Sequence, residues 1–115
     1  MGLSAALKAA GGDQILRGIS GTDDEFVDLM KRVGKKDKDL YPELIELRAA
    51  TKTALFRDKL PRMNVRTEQE VNNLYRQIAR ARDAALSPDA DEAEEAVEDI
   101  KRAEDRINQI LDQEA

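Results

Sequence analysis

Residues 67–113 read TEQEVNNLYRQIARARDAALSPDADEAEEAVEDIKRAEDRINQILDQ. Val71, Leu74, Ile78, Ala81 and Ala85 recur at alternating steps of three and four. Ser87-Pro88-Asp89 interrupts the pattern. It resumes as Ala93, Ala96, Ile100, Ala103, Ile107 and Ile110. A step of three or four keeps side chains on one face of an α-helix. Two such seams joined by a short Ser-Pro-Asp break read as an antiparallel heptad hairpin. Five of the eleven seam positions are Ala. Alanine lets helices approach closely, but each one buries little area.

Upstream, the same period continues. Thr22-Asp23-Asp24-Glu25 is a capping box, in which the Thr hydroxyl and the Glu carboxylate satisfy free backbone N–H groups reciprocally. Phe26, Met30 and Val33 then share a stripe flanked by Val27 and Leu29, and Gly34 ends the helix. Tyr41-Pro42 opens a further helix, with Pro at a favoured first position. That helix carries two apolar stripes: Leu44, Leu47, Thr51, Ala54 and Leu55, and beside them Ile45, Ala49, Phe56 and Leu60. So wide an apolar face predicts a central helix with neighbours on two sides. Pro61 stops it. Thr67-Glu68-Gln69-Glu70 has the form of a second capping box.

No segment alternates apolar and polar residues over six positions, as a half-buried strand does. The fold expected is therefore all-α: a small helical bundle with a short N-terminal helical arm and a C-terminal antiparallel heptad hairpin. The arm is residues 1–21, punctuated by glycine. The bundle domain is residues 22–115, with helices at about 23–33, 42–60, 67–87 and 89–113.

Composition removes whole classes of chemistry. The 115 residues include no Cys and no His. Disulfides, thiolate nucleophiles, Cys-based metal sites, serine–histidine triads and histidine switches all need one or the other. The only aromatics are Phe26, Tyr41, Phe56 and Tyr75, so the core is aliphatic. Gly34-Lys35-Lys36 fails the phosphate-loop pattern, because Leu29 stands where its first Gly belongs. The glycines at 11, 12, 18 and 21 do not form G-x-G-x-x-G. Asp89, Asp91, Glu92, Glu94 and Glu95 lack calcium-loop spacing. They are read as carboxylates favoured by the positive end of a helix dipole. No catalytic residue, metal ligand or cofactor site is expected, and the protein is read as no enzyme.

No run of about 18 apolar residues is present, so no membrane span is expected. The start has no basic segment leading an apolar one, and Ala6 stands where a myristoylation signal needs Ser or Thr. A cytoplasmic or virion protein is expected, a phage component among the possibilities.

Two surfaces are candidates for partners. Residues 1–82 carry 16 Lys+Arg against 12 Asp+Glu, whereas residues 83–115 carry 3 against 12. The basic side suggests a nucleic-acid-binding alternative that uses Lys31, Arg32, Lys35, Lys36, Lys38, Arg62 and Arg66, since phosphate contacts need clustered cations. The favoured expectation is a non-enzymatic protein–protein interaction module, whether adaptor, assembly component or inhibitor. It would form a homo-oligomer or join a larger complex. Its docking segment is the arm, through Leu3, Leu7, Ile15, Leu16 and Ile19, because a helix under about 12 residues needs packing to persist.

Overall fold

The computed structural model describes residues 12–34 and 40–114. Among them are five helices and no strand. They are α1 (Gly12–Ser20), α2 (Asp23–Leu29), α3 (Leu40–Lys59), α4 (Val65–Ala84) and α5 (Ala90–Glu114). The protein is all-α, as its periodicity predicts. Helix α2 runs on into one π turn, Met30–Gly34, so the helical chain reaches the glycine expected to end it. The chain divides into two compact units, Met1–Arg48 and Ala49–Ala115, with the border inside α3.

In the first unit α1 packs on α2. The predicted capping box is formed. Glu25 N–H donates to Thr22 Oγ1 at 3.3 Å, and Thr22 N–H donates to Glu25 Oε1 at 3.1 Å. Asp23, Asp24 and Glu25 place negative charge in the first turn of α2, where the helix dipole favours it. Ile15, Ile19, Phe26, Leu29, Met30, Val33, Leu40, Leu44 and Ile45 are buried.

Gly18 sets the approach of α1 to α2. A Cβ built there would lie 2.6 Å from Leu29 Cβ, an atom fixed to its own backbone. Helix propensity alone favours Gly18→Ala by about 1 kcal/mol. The clash opposes it, because overpacking a close contact costs about 1–3 kcal/mol. We expect the clash to win, so that Gly18→Ala unfolds at lower urea than the parent. A midpoint above the parent's would mean that Leu29 yields without cost.

In the second unit the C-terminal half of α3, α4 and α5 form a small helical bundle. Phe56, Leu60, Val71, Ile78, Ala103, Ile107 and Ile110 make one buried cluster. The seam positions of α5 are buried from Ala96 onward at every heptad step, through Ile100, Ala103, Ile107 and Ile110. A second, smaller cluster near the turn joins Ala81, Ala96 and Ile100. The pairing is antiparallel: Glu70 meets Arg106, while Arg82, further along α4, meets Glu104, further back on α5. The hairpin predicted from the heptads is therefore present.

Local details depart from the sequence reading in three places. Helix α4 starts at Val65, and its cap is Asn64, whose Oδ1 accepts the Thr67 N–H at 2.8 Å. The Thr67–Glu70 capping box is not used. Glu70 reaches across to Arg106 instead, with contacts of 3.0, 3.2 and 3.3 Å. Both partners are 42% exposed, which limits the pair to about 1 kcal/mol or less, so it sets register more than stability. Helix α3 opens at Leu40, so Pro42 falls inside its first turn. An N–H there has no intrahelical partner in any case. Finally, α3 buries one stripe rather than two. Ile45, Ala49, Phe56 and Leu60 are buried with Leu44, but Ala54 is exposed and Leu55 is 47% exposed.

Candidate interaction surfaces

The predicted docking residues separate on the structure. Leu3 and Leu7 lie outside the described residues. Ile15 and Ile19 are buried, and Leu16 is 66% exposed. Leu16 lies about 100° round the helix from Ile15, at the edge of the buried face. Of the described arm residues, Leu16 is the apolar side chain left at the surface.

The predicted basic residues fall in both units. Lys31 and Arg32 are exposed on the π turn of the first unit. Lys35, Lys36 and Lys38 lie outside the described residues. Arg62 and Arg66 are exposed in the second unit, at the corner between α3 and α4, in the same short stretch as Arg57 and Lys59. Arg57 already pairs with Glu68 at 3.3 Å.

Sequence reasoning missed the residue with the richest polar environment. Arg48 is only 4% exposed. Its Nη1 donates to the carbonyls of Gly18, Ile19 and Gly21, each at 3.2 Å. Its Nη2 donates to Asp23 Oδ1 at 2.8 Å. Its guanidinium carbon sits 4.9 Å from the centre of the Phe26 ring. The last carbonyls of a helix have no intrahelical donor. Arg48 supplies donors for the end of α1 and, through Asp23, ties them to the start of α2. Buried and hydrogen-bonded to three carbonyls and a carboxylate, Arg48 is placed as a structural clamp. Its signal in the sequence is its place, three after Ile45 and four after Leu44, inside the buried stripe. Thr53 breaks the same stripe. Its hydroxyl donates to the Ala49 carbonyl at 2.6 Å and lies 3.1 Å from Asn72 Oδ1.

The acidic stretch at the start of α5 serves the turn. Asp89 Oδ1 accepts the N–H groups of Asp91 (3.0 Å) and Glu92 (3.3 Å), as a helix cap does. Ser87 Oγ accepts the Asp89 N–H and donates to Glu92 Oε2. Among the described residues no three carboxylates gather as metal ligands would. No helix among them is long and apolar enough to cross a membrane.

The open depressions among the described residues include three. One of about 230 Å³ lies between α1 and α2, where Arg17 and Arg32 are interleaved with Glu25 and Asp28. One of about 370 Å³ is a shallow apolar dish at Pro42 and Leu47. The third, about 540 Å³, lies along the turn end of the α4–α5 hairpin. Its floor is Ala81, Ala84 and Ala96, and charged side chains stand on both walls. None of the three is the closed, dry pocket that separates the pKa values of a catalytic acid and base.

The chain matches no family model, no curated protein and no solved structure.

Proposed function

We propose that the protein is a non-enzymatic helical interaction module, working in the cytoplasm or a virion, that associates with itself. What carries this reading is the turn end of the hairpin. The core there is Ala81, Ala96 and Ile100, with Ala84 and Ala85 packed against it, beneath an open groove. Burial contributes roughly 25 cal/mol per Å² of apolar area, and alanines contribute little of it. A helix surface from another chain laid over that end would cover the half-buried Ala84 and Ala85 and the apolar stems of the charged side chains around them. Exposed Leu86 and Val97, on the turn and on α5, add apolar area to the same unit.

Light scattering coupled to size exclusion tests the reading over a range of protein concentration. The expected mass exceeds the 12.9 kDa of one chain and rises to a discrete plateau. A mass fixed at one chain into the high micromolar range sinks self-association. Nucleic acid that co-purifies at low salt and leaves at moderate salt would instead favour phosphate binding by the basic residues, because counterion release makes such binding steep in salt.

A further inference from the structure

We propose that the groove at the turn end of the hairpin is a homodimer interface, occupied by the same groove of a second copy in a four-helix arrangement. The inference rests on the self-association reading and names its surface.

The groove is self-complementary in charge. Its alanine floor lets a facing helix come close. Its α4 wall carries Arg80, and its α5 wall carries Glu92, Glu95 and Asp99 with Arg102. Two of these acids are already engaged: Asp99 pairs with Arg102 one turn along α5, and Glu92 accepts from Ser87. Arg80 and Glu95 are both exposed, and neither forms an ion pair or a side-chain hydrogen bond among the described residues. The groove thus keeps one unused cation on one wall and one unused anion on the other.

A twofold axis running along the groove, parallel to the helices, lays α4 of each copy over α5 of the other. The contact is isologous, so whatever one copy offers, the other answers. Arg80 of each copy then faces Glu95 of its mate at nearly the same height, since α4 and α5 are paired side by side there. Each helix also runs antiparallel to the one it covers, which suits the helix dipoles. An axis across the helices would instead set α4 on α4 and Arg80 against Arg80, a like-charge contact. Charge therefore selects the first arrangement over the second.

A charge-swap experiment on the full chain tests this. Arg80→Glu sets Glu against Glu twice in the dimer, and Glu95→Arg sets Arg against Arg twice. Each variant alone should dimerise at least about tenfold more weakly than the parent, since facing like charges are costly at an interface. An equimolar mixture of the two variants should recover dimer. In the mixed pair the two substituted side chains face each other, glutamate against arginine, and the unchanged Glu95 of one copy faces the unchanged Arg80 of the other. Both positions are exposed, so circular dichroism should show folded helices in each variant. Rescue by mixing separates this interface from a role within one chain, where mixing changes nothing. If the parent self-associates but the variants dimerise as well as it does, or mixing gives no rescue, the groove is not the interface and the self-association reading survives. If the parent is a monomer at every concentration, both fall.

Discussion

Replacing Arg48 with Ala should cost the first unit about 3 kcal/mol, the upper end of the range for leaving buried acceptors without their donor. The loss has three parts. The carbonyls of Gly18, Ile19 and Gly21 lose their shared donor at the closed end of α1. Asp23 loses the guanidinium that it accepts from at 2.8 Å. The fully buried ring of Phe26 loses the cation that lies against it. Whole-domain stabilities run to about 5–15 kcal/mol, so a loss of this size removes a large share. We expect lower helicity at 25 °C and fast amide exchange over residues 12–34. Arg48→Lys should recover less than half of the loss, because one ammonium on a flexible stem cannot hold three carbonyls and a carboxylate in the plane of a fork. Asp23→Asn should cost less than Arg48→Ala, since it keeps an acceptor oxygen at a site 37% exposed. A variant Arg48→Ala that melts with the parent would show that the clamp adds nothing to stability.

Phe56→Ala should be comparably severe in the second unit, at about 3–5 kcal/mol. Phe56 is the single buried aromatic of its cluster, in which the other buried members are Leu, Ile, Val and Ala. Its ring meets Tyr75 edge-on, with 6.5 Å between centroids, an arrangement worth about 0.5–1.5 kcal/mol beyond area. Short aliphatic neighbours on rigid helices cannot swing in to refill a ring-sized void. Phe56→Leu should recover most of the loss, because it restores volume without the ring. Urea midpoints for the two variants decide the matter, and equal midpoints would contradict a volume-limited core.

The difference between these two residues also explains what can be read in advance. Spacing to Ile45, Ala49 and Leu60 places Phe56 in the core, and that is a local pattern. Arg48 sits in the same stripe, but its burial depends on acceptors 25 to 30 residues away. A charged side chain at a core position is either a fault in the pattern or a paired group, and only its partners decide which. The candidate interface behaves likewise. The alanines of the heptad are visible in the sequence as a thin seam. That Arg80 and Glu95 stand on opposite walls of one groove follows from hairpin register, which spacing alone does not supply.

Local spacing was enough to establish the helices, the capping box at Thr22 and Glu25, the antiparallel hairpin and the all-α class. Each of these rests on contacts within a few residues or on one repeating period. Three features waited on packing: α3 buries one stripe and exposes Leu55, Gly18 gives Leu29 room, and Arg48 lies inside. One cause is common to all three. Periodicity states which side chains share a face, but the neighbour that comes to that face determines whether it is covered, how closely, and by which donors and acceptors.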